Sequence, residues 1–132
     1  MSDKNREIVK HANWLLTDGL YDEFVLLCAD DIEWTLLGDS PTTMKGREAM
    51  RAFMASTSPE GSEPPEFTVK NMIAEGEVVM SNGDMTMKSK NGGTVPYAYC
   101  DIYRFKDGKI AELLTFMNKT QAETKKESTA TA

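Results

Sequence analysis

The sequence predicts an α+β domain in which a curved, cone-shaped antiparallel (mixed) sheet of about five strands packs on three N-terminal helices and encloses a pocket. Three observations carry this expectation. Helical periodicity is confined to the first 56 residues. From Phe67 onward the chain alternates apolar and polar residues between turn signals. Helices kept apart from an antiparallel sheet define the α+β class, and a sheet curled over them leaves a pocket at its open end.

Residues 5–17 read as the first helix, because Ile8, Val9, Ala12, Leu15 and Leu16 recur at helical spacing on one face. Asp3 is placed to cap its start and Gly19 to stop it. A second short helix is expected from Leu20 to Ala29, with Phe24, Leu27 and Cys28 on one side and Asp30 and Asp31 breaking it. Asp31 to Leu37 alternates as a strand, with Ile32, Trp34 and Leu36 sharing a face. Gly38 to Pro41 makes a loop. A third helix follows over residues 46–56, with Ala49, Met50, Phe53 and Met54 inward and Arg47, Glu48 and Arg51 in water.

Ser56 to Glu66 is rich in Pro, Gly, Ser and Glu and reads as a loop. Phe67 to Glu75 and Glu77 to Lys90 are the next strands. The second is interrupted at Asn82-Gly83-Asp84, by a bulge or by a separate hairpin turn. Asn91-Gly92-Gly93 is a hairpin turn. Val95 to Phe105, a turn at Lys106-Asp107-Gly108-Lys109, and Ile110 to Asn118 complete the sheet. Residues 1–118 are thus expected to form one domain. Residues 119–132, rich in Thr, Ala, Lys and Glu without apolar periodicity, are expected to be a disordered tail.

The chain has 132 residues, one domain's worth, and 40% hydrophobic residues supply a core. Its mean hydropathy of −0.44 is that of an ordinary soluble protein. A net charge of −6 repels phosphate backbones, and the Lys and Arg residues are scattered, so nucleic acid is not an expected partner. No apolar run suits a membrane helix, and no signal segment is visible, so a cytoplasmic location is expected. Two distant cysteines, Cys28 and Cys100, and one histidine, His11, do not make a metal site, and no cofactor is expected.

Three stretches resemble the nuclear transport factor 2-like superfamily, especially its SnoaL-like and ketosteroid isomerase-like branches. They are the closing hairpin Tyr99-Cys100-Asp101-Ile102-Tyr103-Arg104-Phe105-Lys106-Asp107-Gly108-Lys109-Ile110-Ala111-Glu112, the segment from Gly19 through Cys28-Ala29-Asp30-Asp31-Ile32-Glu33-Trp34, and Gly46-Arg47-Glu48-Ala49-Met50-Arg51-Ala52-Phe53. The resemblance spans residues 6–118. It implies the cone fold, a pocket between helices and the concave sheet face, and often a homodimer. Ile102, Leu114 and Phe116 would supply the apolar outer surface for that dimer.

Strand alternation assigns the faces of the closing hairpin. Tyr97, Tyr99, Asp101, Tyr103 and Phe105 point one way, and Leu113, Thr115 and Met117 share a face on the last strand. Arg104 and Glu112 pair across the strands on the other side. Asp101 therefore sits among aromatic side chains, where poor solvation raises a carboxyl's pKa and suits it to donate or move a proton. Asp101 is the candidate acid, helped by Tyr99 and Tyr97. The candidate ligand contacts are Trp14, Trp34, Leu36, Phe53, Met54, Met87, Thr115 and Met117, around a small hydrophobic molecule.

The resemblance also exposes departures. Asp101 falls where ketosteroid isomerase holds a protonated oxyanion-hole aspartic acid. The position of that enzyme's general base is Leu36 or Thr35 here, and that of its tyrosine lies near Ala12. SnoaL-like cyclases place an aspartate where this chain has Thr115. Limonene-epoxide hydrolases use an Asp-Arg-Asp set, and Tyr99 stands in place of their arginine. Two readings follow: a cofactor-independent isomerase, cyclase or hydratase using Asp101, or a non-catalytic ligand-binding or dimerisation module. A third, a relative whose pocket is filled by Met and Trp side chains, stands beside them.

Overall fold

The computed structural model describes residues 2–38, 41–56, 66–88 and 93–120. Three helices and six strands follow in the order α1 (Ser2–Thr17), α2 (Tyr21–Val25), β1 (Cys28–Leu37), β2 (Thr42–Lys45), α3 (Arg47–Ser56), β3 (Glu66–Glu75), β4 (Val78–Lys88), β5 (Thr94–Lys106) and β6 (Lys109–Lys119). The strands form one curved mixed sheet in the order β2-β1-β6-β5-β4-β3. All neighbours are antiparallel except β1 and β6, which run parallel.

The first helix buries the expected stripe. Val9, Ala12 and Leu15 are fully enclosed, with Ile8 and Leu16 packed at their edge. Gly19 ends it in the left-handed region at φ 74°. The Gly19 amide donates to the Leu16 carbonyl and the Leu20 amide to that of Leu15, a pairing that satisfies the last carbonyls of the helix. Helix α1 lies over β3 and β4, α3 lies over β1 and β2, and α2 bridges the two helices. The core gathers between them and the sheet around Phe24, Ile32, Met50, Val79, Tyr103 and Ile110. Each such side chain contributes about 1.5–3 kcal/mol by leaving water.

Four local expectations need correction. The second helix is one turn and a half, and Asp30 and Asp31 lie exposed within β1 rather than breaking a helix. The sheet has six strands, because the polar segment Thr42–Lys45 pairs with β1 as its edge; only Met44 of the four turns inward, too little for alternation to reveal. Ala49 is exposed, so the buried face of α3 rests on Met50 and Met54 with Phe53 beside them. Arg47 is half-buried: its Nε and Nη2 donate to the Cys28 carbonyl at 3.0 and 2.7 Å, and its Nη1 pairs with Asp30 at 3.0 Å. This clamp ties the start of α3 to the start of β1.

The interruption at residues 82–84 is no hairpin. Strand β4 runs through it, and the register shift lies in its neighbour β3, between Val69 and Asn71. Gly83 explains the local geometry: a Cβ there would sit 1.9 Å from the Thr68 carbonyl oxygen. The β5–β6 turn places both Asp107 and Gly108 at positive φ, 53° and 79°, the twist that matches a two-residue hairpin. The Arg104–Glu112 pair spans that hairpin at 3.4 Å, exposed on both sides and of small energetic weight. The hairpin turn expected at residues 91–92 and the expected tail beyond Thr120 lie outside the described residues. Among the described residues no helix is long and apolar enough to cross a membrane.

Gly83→Ala should lower stability by about 2 kcal/mol or more, because backbone must move to admit the methyl group. Gly38→Ala, with nothing within 4 Å of its added carbon, should stay within about 0.5 kcal/mol of the wild type. Urea denaturation of both variants measures the contrast.

Candidate functional site

Register builds the inner wall of the cone rung by rung. One rung runs Leu36–Thr115–Asp101–Ser81–Met72 across β1, β6, β5, β4 and β3. The rung below it holds Trp34, Leu113, Tyr103, Val79 and Ala74. The rung above pairs Met117, Tyr99 and Gly83. A polar stretch of three side chains thus crosses the middle of an apolar surface.

This wall, with the inner faces of the helices, encloses a cavity of roughly 180 Å³. Leu16, Tyr21, Phe24, Met50, Phe53 and Met54 line it from the helices. Trp34, Leu36, Phe67, Met85, Met87, Tyr99, Asp101, Tyr103, Leu113, Thr115 and Met117 line it from the sheet. No Lys, Arg, His or Glu is among them. Trp34 meets Phe53 edge to face at 5.5 Å, and Phe67 meets Tyr99 in the same way at 5.6 Å.

Among the described residues Asp101 is the one carboxyl in this lining. As a residue it keeps some exposure, while its carboxyl is enclosed almost completely. Burial pushes its pKa from 3.8 up to about 6, and a hydrogen bond from Thr115 opposes the shift. Thr115 Oγ1 donates to Asp101 Oδ1 at 2.8 Å and accepts from Trp34 Nε1 at 2.9 Å. Among the described residues Asp101 Oδ2 has no hydrogen-bond partner.

Two more polar atoms lie nearby. The Tyr99 and Ser81 hydroxyls are buried and face each other; no other hydrogen-bond partner is formed for either among the described residues. Burial raises the Tyr99 pKa; the neighbouring Ser81 hydroxyl pulls it down and the Asp101 charge adds to the rise. Tyr103, fully buried, is raised well above its usual value by the same desolvation. The thiols offer no nucleophile: burial pushes Cys28 up to about 12 against the pull of Arg47 and Lys109, and raises Cys100 as well. Both cysteines are free. Among the described residues no cluster of His, Cys, Asp or Glu is arranged to hold a metal ion.

The cavity brings together Asp101, Tyr99, Trp34, Leu36, Phe53, Met54, Met87, Thr115 and Met117 from the sequence candidates. Tyr97 and Trp14 stand outside the lining. Tyr97 pairs with Met85 and Lys119, one rung beyond Tyr99. Trp14 sits off the buried stripe of α1, 55% exposed and stacked on His11 at 5.9 Å. The sequence candidates lack Tyr21, which comes from a helix too short for periodicity, and Ser81. Alternation through Val79, Ser81, Gly83, Met85 and Met87 puts Ser81 on the inner face, but a lone serine carries no signal until its rung partner is Asp101.

The raised pKa has a consequence for stability. The carboxyl titrates near 3.8 when unfolded and near 6 when folded. Between these values the native state binds more protons, so stability falls as pH rises and levels off above about 6. Asp101→Asn removes this dependence while leaving an oxygen for Thr115. The wild-type-minus-variant stability should therefore decline across that window, by about 3 kcal/mol at most. Urea titrations at a series of pH values measure it, and a flat difference would mean a carboxyl in contact with bulk water.

The SnoaL-like domain family matches this chain over residues 9–113. No curated protein matches it in sequence. Solved structures share its fold at low identity. A nuclear transport factor 2-like protein of unknown function from Cytophaga hutchinsonii is 23% identical with a TM-score of 0.70, covering 89% of this chain and 99% of its own. A candidate ketosteroid isomerase from Kribbella flavida is 18% identical with a TM-score of 0.75, covering 91% and 82%. An LEH-like epoxide hydrolase from Mycobacterium tuberculosis is 15% identical with a TM-score of 0.75, covering 89% and 84%. The chain belongs to the SnoaL-like domain family.

Proposed function

We propose that this protein binds a small, apolar, oxygen-bearing molecule in the cone, with the ligand's oxygen at Asp101 and Tyr99. The observation that carries this reading is a poorly solvated carboxyl, the one such group among the described residues of an otherwise apolar cavity, with one oxygen unspent and a buried tyrosine hydroxyl one rung away. A cavity of about 150 Å³ lined by apolar side chains takes up benzene. One of roughly 180 Å³ therefore has room for a one-ring ligand. An apolar ligand displaces residual water from Asp101 and raises its pKa further. The neutral acid is then available near neutral pH to donate to a carbonyl, lactone or ether oxygen.

Donation to that oxygen is also what a cofactor-independent isomerase, cyclase or hydratase of this branch needs from an acid, with Asp101 in that role and Tyr99 beside it. Among the described residues the lining contains no second carboxylate, imidazole or amine to act as a strong base. That observation favours ligand binding as the primary function and limits catalysis to steps that one acid can drive. The exposed apolar residues Ile73 and Phe116, on the outer face of the sheet, suit a homodimer contact.

A thermal-shift series of one-ring ketones, lactones and cyclic ethers beside their hydrocarbon analogues tests the proposal. The oxygen-bearing members should bind more tightly, and Asp101→Asn or Tyr99→Phe should remove about tenfold of their affinity while leaving the hydrocarbons unaffected. Equal affinity for ketone and hydrocarbon, or no effect of either substitution, would sink the reading.

A further inference from the structure

The Trp34–Thr115–Asp101 chain crosses three strands, and its direction is set by chemistry. An indole N–H only donates, so Thr115 Oγ1 must accept from Trp34. The Thr115 hydroxyl has one proton, which goes to Asp101 Oδ1 at 2.8 Å. For Asp101 to donate back to Thr115, the hydroxyl would have to turn its own proton away, and no other acceptor for it exists among the described residues.

We propose that Trp34 is a positioning residue: by occupying Thr115 as an acceptor it locks the Thr115 proton onto Asp101 Oδ1 and leaves Oδ2 as the oxygen that presents the acid proton to the cavity. The inference rests on Asp101 being the polar anchor of the ligand site. It adds which carboxyl oxygen meets the ligand and why that oxygen is a donor. The ligand group opposite Oδ2 is then a neutral acceptor oxygen.

The surroundings leave few competitors. The groups facing Asp101 are Thr115 from β6, Ser81 from β4, and Tyr99 and Tyr103 along its own strand. Helix α2 adds the Tyr21 hydroxyl to the lining, while α1 and α3 add only Leu16, Met50, Phe53 and Met54. Cys100, next in the chain, is a protonated thiol whose own pKa is raised by burial and by Asp101. Among the described residues no fixed positive charge lines the cavity, and the hydroxyl chain is the element there that holds the carboxylate form.

The test uses ligand-free protein, so it is independent of whether the ligand class is right. The chain has two tryptophans, and the second, Trp14, is 55% exposed and serves as an internal control. The Trp34 indole N–H resonance should titrate together with the Asp101 carboxyl carbon, and the Trp14 resonance should not. Thr115→Ser should keep that response and Thr115→Val should abolish it, with Thr115→Ala as a second variant should the valine fail to fold. Trp34→Phe should raise the Asp101 pKa by about half a unit, since a Thr115 hydroxyl that no longer accepts from the indole N–H donates more weakly to the carboxylate. If the indole merely fills space, the same substitution wets the carboxyl and moves its pKa downward. A downward shift, a Trp34 resonance that ignores Asp101, or a Trp34 response that survives loss of the Thr115 hydroxyl would each overturn the proposal.

Discussion

The first strand of the chain lies parallel beside the last, and that single pairing organises everything else. It seats Trp34 against Leu113 and Leu36 against Thr115, which places residues 81 positions apart within one hydrogen bond of each other. It also turns a meander of β3 to β6 into a wider sheet whose far side is closed by β1 and β2. Helix α3 and its Arg47 clamp then hang from the start of β1, and α1 covers the opposite end over β3 and β4. Without that pairing the hairpin bearing Asp101 would lack its neighbour wall, and the cavity would have no Trp34, Leu36 or Phe53 to bound it.

Within the cone two effects oppose each other at one carboxyl. Desolvation favours the neutral acid, while the Thr115 hydroxyl favours the anion. Burial wins, because among the described residues the lining supplies no cation and only one hydrogen bond. The result is an acid poised near pH 6 rather than one driven far above neutrality. Such a group is costly to the fold at neutral pH, and a packing role alone would be met more cheaply by an apolar side chain. The unspent Oδ2 and the buried hydroxyls of Tyr99 and Ser81, which have only each other, point the same way, since buried polar groups usually find full sets of partners.

The relatives share this architecture across most of their length while their printed descriptions range from unknown function to isomerase and hydrolase. A shared cone therefore does not carry a shared reaction, and the chemistry must be read from the lining itself. Here the described residues of the lining include one acid, three tyrosines and no strong base. That composition suits recognition of an acceptor oxygen.

The sequence by itself determined the helices of the first half, the strands of the second, and the inward direction of Asp101, because helical and strand periods are local and survive in one dimension. It also carried the family, through the closing hairpin and the segments around Trp34 and Gly46. Strand β2 escaped it because a four-residue edge strand with one buried side chain has no usable period. The bulge opposite Gly83 could be named as an alternative but not chosen, since the deciding fact is a carbonyl 1.9 Å from a missing Cβ on a neighbouring strand. Arg47 read as a surface residue because its acceptor, the Cys28 carbonyl, lies nineteen residues away. Tertiary structure alone decided that Tyr97 and Trp14 stand clear of the cavity, that Ser81 shares a rung with Asp101, and that a tryptophan directs the proton of Thr115. Each of these depends on strand register or on the parallel β1–β6 pairing, which no local pattern encodes.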